Sequence, residues 1–359
     1  MESSQLPQSS LATPPPAGAA LAAILEQPGL IPTTLPCLPQ PTGDVTGRLA
    51  ESTTIRLAFP AAQAPVAVGL VLAAALDSRW QSYCEQLRHC QEHFSEEAVH
   101  QLRVATRRLL AQITLLSCVA PSAEREKARR VLKRRLAALG DLRDAQVQRL
   151  FIEQKAVSFP ELVLLRAWLQ RRERRLAKSA AAKVACFKTR KLERWTAVMI
   201  DGLTASARKS RVQSQLASAV LHAAAQAFTE AVERRRAIDP ADPQTIHQTR
   251  VAFKRFRYTM ETLSPAITGL SKRQLRALAY YQRKMGIIQD LEVMRACVAQ
   301  YTRGDKKRDA LLQRFSRHVL QRRARALRSF LKSADRLFEF WPPAALAARD
   351  QSVPTRSAA

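Results

Sequence analysis

Val99-His100-Gln101-Leu102-Arg103-Val104-Ala105-Thr106-Arg107-Arg108 and Ile246-His247-Gln248-Thr249-Arg250-Val251-Ala252-Phe253-Lys254-Arg255 are one segment written twice, 147 positions apart. On a helix advancing about 100° per residue, His247, Arg250, Lys254, Arg257, Tyr258 and Glu261 share one stripe, with Ala252, Phe256, Met260 and Leu263 opposite. In the first copy His100, Arg103 and Arg107 take the stripe, and Leu102, Ala105, Leu109, Ile113 and Leu116 the apolar side. Each histidine therefore shares a face with cations and not with the core. A merely solvated basic face has no reason to keep an imidazole at the same spacing in both copies.

The repetition extends outward. Leu139-Gly140-Asp141-Leu142-Arg143-Asp144 matches Met285-Gly286-Ile287-Ile288-Gln289-Asp290, and Leu169-Gln170-Arg171-Arg172 matches Leu320-Gln321-Arg322-Arg323, in the same order and at nearly the same offset. The body is read as a tandem duplication, repeat 1 over about 66–207 and repeat 2 over about 211–340. Apolar residues recur every three or four positions and no sustained alternation suggests a strand, so the fold class is all-α. The duplication then implies two pseudo-symmetric antiparallel helical bundles. Helices are expected over about 66–93, 95–118, 122–139, 141–157, 160–185 and 190–207, then 211–237, 243–263, 271–285, 287–302, 305–332 and 334–340. Pro121, Pro160 and Pro265 mark stops or restarts, and Gly140 and Gly286 mark breaks between consecutive helices.

The flanks differ in kind. Eleven of 19 prolines precede residue 66 and the first basic residue is Arg48, so 1–65 reads as a disordered Pro/Ala-rich leader. Residues 341–359 read as a loose tail. The chain has 359 residues, 58 Lys+Arg against 30 Asp+Glu and a net charge of +28, with Arg outnumbering Lys 44 to 14. Guanidinium forks grip phosphate oxygens in pairs, which points to a phosphate-rich partner. Six cysteines without a CxxC pair read as reduced thiols. With no signal-peptide pattern, and only Val66 to Leu76 as an apolar run, a cytoplasmic protein without membrane insertion is expected.

The two signatures, with a Leu/Met-Gly-x-x-x-Asp element about 40 residues later in each copy, resemble the CHAD family (conserved histidine α-helical domain) over roughly residues 67–340. The resemblance implies two helical bundles around a basic central cavity or groove, inorganic polyphosphate as ligand, and association with polyphosphate granules. Carried over by position, His100, Arg103, Arg107 and Arg108 match the first signature. His247, Arg250, Lys254 and Arg255 match the second, with Arg257 and Tyr258 in its continuation. Some members carry an N-terminal triphosphatase module marked by a Glu-x-Glu-x-Lys strand; no such run occurs here.

Lys127 and Arg130 match Arg273 and Arg276 in position and sign, and join the candidate phosphate-binding set. Arg171, Arg172, Arg175, Arg322 and Arg323 read equally as groove or as solvated helix surface. Asp144 and Asp290 read as structural, through a helix N-terminal charge or an ion pair with stripe cations. A histidine among cations should have a lowered pKa when empty and a raised one beside phosphate, so tighter binding is expected near pH 6 than near pH 8. No catalytic residue is assigned, since the stripe offers no nucleophile in register and no acidic orienter beside His100. No cofactor is expected. His89-Cys90-x-x-His93 has metal-like spacing but no obvious fourth ligand, and no metal is assigned. RNA or DNA is the second choice of partner, disfavoured because Tyr258 is the sole aromatic on the stripe. A phosphoanhydride-processing enzyme and an adaptor docking through the leader remain as alternatives. Oligomeric state is not legible.

Overall fold

A computed structural model describes residues 68–267 and 270–341. Among them are ten α-helices, two short 3₁₀ segments and no strand. The first six helices are α1 (Val68–Glu92), α2 (Glu96–Val119), α3 (Ala123–Ala138), α4 (Gly140–Lys155), α5 (Val163–Ala185) and α6 (Arg190–Ala207). The remaining four are α7 (Ser210–Arg236), α8 (Pro243–Leu263), α9 (Lys272–Thr302) and α10 (Lys306–Leu331); the 3₁₀ segments are Pro160–Leu162 and Ala334–Phe340. The leader 1–65 and the tail beyond Trp341 lie outside the described residues.

Local chemistry sets the helix starts. Ser95 Oγ accepts from the Ala98 amide, Ser122 Oγ from Arg125 and Asp242 from Gln244, with Pro243 at the first helical position. Each cap satisfies one of the amides that a helix N-terminus leaves without an internal partner. Ser271 and Gln274 form a reciprocal capping box at the start of α9. After α9 the chain turns through Gly304 at φ +76°, a conformation that glycine adopts without a Cβ clash.

The expected break at Gly286 is corrected: α9 runs through it, so the expected helices 271–285 and 287–302 are one. Met285 and Ile288 are buried on either side and hold the helix in register against the core. In the first half the chain does leave the helix, but at Leu139 (φ −104°, ψ 2°), and Gly140 opens α4.

The buried residues form two cores, and neither follows one sequence half. The larger joins Leu72, Leu76 and Tyr83 of α1 and Leu102, Leu109 and Ile113 of α2 with Phe228 of α7 and Phe253, Phe256 and Met260 of α8. The smaller joins Ile152, Leu165 and Leu169 with Met294, Tyr301, Phe315 and Val319. The expectation of one bundle per half is thus not how the apolar side chains group. At the larger core α2 packs against α8, the contact that positions the site.

Candidate functional site

The apolar sides of α2 and α8 are buried as their periodicity requires. The opposite stripes are also partly enclosed, because the two helices pack on each other. Lys254 records this most clearly. Its ammonium is pushed down to about 8, first by burial and then by Arg107, Arg250, Arg257 and Arg103; every named charge acting on it is a cation. Two of these come from α2 and two from α8, so the two signatures build one cluster.

Arg103 is buried, and its Nη1 donates to the Leu136 carbonyl at 3.0 Å. Leu136 lies in the last turn of α3, where carbonyls lack helical partners and a cation is favoured. Burial, then Arg107, push the Arg103 pKa down to about 10, with Asp144 acting the other way. Burial likewise lowers Arg250, opposed by Asp290 and reinforced by Arg107. The Arg250 Nε is buried without a hydrogen-bond partner. Arg257 pairs with Glu261 at 3.2 Å and lies over the Tyr258 ring, 4.8 Å from its centroid.

Asp144 and Asp290 are exposed to solvent, yet surrounded closely enough by protein for their pKa values to be raised. Crowding is the first cause, and each carboxylate is partly offset by stripe cations: Asp144 by Arg103 and Arg107, Asp290 by Arg250.

The histidines stand at the N-terminal ends of the stripes. Burial, then Arg143, lower the His100 pKa, with Glu97 opposing; the expectation of no acidic neighbour is thus corrected, Glu97 standing one helical turn before His100. His247 Nδ1 lies 2.8 Å from Gln289 Oε1. It lines a cavity of about 480 Å³ with Pro243, Gln244, Gln289, Glu292 and Arg295 among others. The cavity takes in His247 but none of the other stripe residues.

The profile of the CHAD domain matches residues 71–299, well over half of the chain. The chain belongs to the CHAD family. Among solved structures, the crystal structure of the CHAD domain from the plant Ricinus communis is similar at 20% identity and a TM-score of 0.53, with 84% of this chain and 96% of that one covered. PptA from Streptomyces chartreusis is similar at 16% identity and a TM-score of 0.51, with 74% of this chain and 99% of that one covered. At such identities the likeness speaks for the fold. No curated protein matches the chain. No helix among the described residues is long and apolar enough to cross a membrane.

Within this CHAD domain, Arg103, Arg107, Arg250, Lys254 and Arg257 are brought together, with His100, Asp144 and Asp290 beside them. Other candidates are not. Arg255 is exposed and turned away, pairing with Glu230 of α7 at 3.1 Å and donating to Cys118 Sγ at 3.3 Å. Lys127 and Arg130 are exposed near the start of α3, and Arg130 lies 4.0 Å from Glu126. Arg103 anchors at the far end of that helix, roughly 9 to 14 Å along its axis at 1.5 Å per residue. Arg273 and Arg276 are exposed at the corresponding start of α9. Arg108 is exposed and acts on Arg79. His89 and His93 have ring centroids 5.6 Å apart, and no metal-competent group of three ligands occurs among the described residues.

Three cations gain weight from the structure. Arg79 of α1 donates to Thr262 Oγ1 at 2.6 Å and to Gln112 Oε1, tying the halves together. Burial pushes its pKa down to about 10. Arg172 lies over Trp168 and acts on Asp144. Arg143 acts on His100 and Asp290. Its signal was in the aligned block opposite Gln289, but which residue it faces depends on the packing of α4.

Proposed function

We propose that this chain binds inorganic polyphosphate without catalysis, through the cations gathered between α2 and α8, and that it associates with polyphosphate granules in the cytoplasm. The observation that carries the reading is the surroundings of Lys254, where four arginines from two signature helices converge on one ammonium. Such a cluster is strained when empty and relieved by a multiply charged anion. A chain bearing about one charge per phosphate would displace counterions along its length, the source of affinity known for nucleic-acid backbones. Membership of a polyphosphate-related family supports the same ligand. A tandem duplication accounts for the matching placement of His100 with His247 and Asp144 with Asp290, and the crowding of the two carboxylates supports a groove between the copies.

The test is competition at physiological salt between labelled long-chain polyphosphate, tRNA and duplex DNA. It compares wild type, an Arg107→Gln/Arg250→Gln/Lys254→Gln variant, and an Arg190→Gln/Lys191→Gln/Arg194→Gln variant that removes equal charge from the exposed face of α6. Polyphosphate should win, and the first variant should lose at least about tenfold more affinity than the second. Equal competition by nucleic acid, or equal loss in both variants, would mean that net charge and not this cluster binds the anion.

A further inference from the structure

The two signatures keep the same histidine but give it different neighbours. In the aligned blocks Arg143 stands where the second copy has Gln289. Gln289 Oε1 lies 2.8 Å from His247 Nδ1. Arg143 pairs with Glu96 at 3.1 Å, and its guanidinium also bears on His100. An amide oxygen accepts a hydrogen from a protonated imidazole, whereas a guanidinium has five donors and no acceptor. A proton on His247 is therefore supported at Nδ1 and leaves Nε2–H to donate to a phosphate oxygen. A proton on His100 meets a neighbouring cation.

Resting on the polyanion-binding reading above, we propose that Gln289 is a positioning residue that makes His247 the proton-dependent phosphate donor of the site, and that Arg143 withholds this role from His100. The charged groups around each ring agree. On α8, Arg250 stands one turn beyond His247, and α9 supplies Glu292 and Arg295 to the cavity that His247 lines. Glu292 is already engaged by Arg295 at 3.4 Å and by Arg323 of α10. Arg234 of α7 donates to Gln248 Oε1 at 3.1 Å, and Arg107 of α2 acts on Arg250. Around His100, α2 supplies Glu97, Arg103 and Arg107, and α4 supplies Arg143. From α1, Glu85, His89 and Glu92 share a cavity with Glu97 and Gln101. Glu96 is held by Arg143 and Arg149. His100 thus has three named cations against one opposing carboxylate, while His247 has a neutral acceptor in direct contact.

The experiment has two arms on the full chain, with wild type and the His100→Gln, His247→Gln, Gln289→Glu, Gln289→Arg and Arg143→Gln variants. In the first, imidazole titration by NMR without ligand should move His247 upward in Gln289→Glu and downward in Gln289→Arg, and move His100 upward in Arg143→Gln. In the second, affinity for long-chain polyphosphate at constant ionic strength should be about three- to tenfold tighter at pH 6 than at pH 8 in wild type and His100→Gln. The ratio should fall in His247→Gln and Gln289→Arg to the part that Lys254, which also loses charge near pH 8, contributes alone. Gln289→Glu should carry the pH-dependent range upward, which a purely structural role for residue 289 would not do. Loss of the pH ratio in His100→Gln, an undiminished ratio in His247→Gln, or a His247 titration indifferent to residue 289 overturns the proposal. Failure of wild type to bind polyphosphate at either pH overturns the functional reading, and the titration arm still decides the role of Gln289.

Discussion

Lys254 is the residue at which binding and stability oppose each other. Folding lowers its pKa from 10.5 to about 8. Between those values the unfolded chain holds a proton that the folded chain has lost, so stability rises as pH climbs through that window and the penalty is largest below about pH 8. Lys254→Met should therefore stabilise the unliganded protein at pH 7 by about 1 to 2 kcal/mol, allowing for solvent screening of a partly exposed group. Thermal unfolding at pH 7 and at pH 10 checks this: the variant's advantage should shrink at the higher pH, while polyphosphate affinity falls at pH 7. An equal advantage at both values would show that packing and not charge is responsible. The Lys254 stripe was legible from 3.6-residue periodicity; the depth of its burial was not, because that depends on α2 lying across it.

At the scale of elements, the N-terminus of α2 is held by an ion-pair network that the histidine signature does not mention. Arg149 of α4 pairs with Glu96 and Glu153, each at 2.7 Å, and with Glu173 of α5. Removing the guanidinium leaves three partly buried carboxylates facing one another. Arg149→Leu should cost about 3 kcal/mol, read by denaturant unfolding, and should disturb His100, one turn beyond Glu96. The second element is α9. Gly286 sits inside a continuous helix, and an added Cβ would meet only Arg250 Nε, at an ordinary 3.9 Å. Gly286→Ala should therefore stabilise by about 0.5 to 1 kcal/mol; destabilisation would show that the position needs a bend. Gly69 is the contrasting case, since a Cβ there would lie 2.6 Å from the Leu203 carbonyl oxygen and force α1 away from α6. Helix ends were legible to within about two residues, except that the helix expected from 160 opens as the 3₁₀ segment Pro160–Leu162 and becomes α-helical only at Val163, because capping serines, aspartates and prolines are local signals. The run through Gly286 was not, because burial of Met285 and Ile288 overrode a weak local one.

At the scale of the whole molecule, a net charge of +28 repels itself in the folded state and attracts a polyanion. Salt should act on the two in opposite directions. Raising NaCl from about 50 mM to about 300 mM shortens the screening length and should raise the melting temperature of the unliganded protein. The same change should weaken polyphosphate binding by at least about a hundredfold, as displaced counterions become less favourable to release. Differential scanning fluorimetry and a salt series of binding isotherms read the two. A melting temperature that falls with salt would show that ion pairs such as those of Arg149 outweigh the repulsion among cations. The mixing of halves within each core belongs to this scale as well. Apolar stripes state that each helix has a buried side, but Phe253 sharing a core with α1 and α2, or Phe159 meeting Phe315, requires the assembled fold.

The amino-acid order alone determined that the body is helical, that its two halves carry one signature twice, and that the signature is a cationic stripe opposite an apolar one. These follow from short-range rules of helix period, capping and proline placement, which act within a few residues of the chain. Only the tertiary structure decided which cations lie near one another. It drew Arg103, Arg107, Arg250, Lys254 and Arg257 together, with Arg143, Arg172 and Arg79 acting on their neighbours, and left Arg255, Lys127, Arg130, Arg273 and Arg276 exposed. The physical reason is that Coulomb interaction depends on distance and enclosure between helices, and neither is encoded in spacing along a single helix.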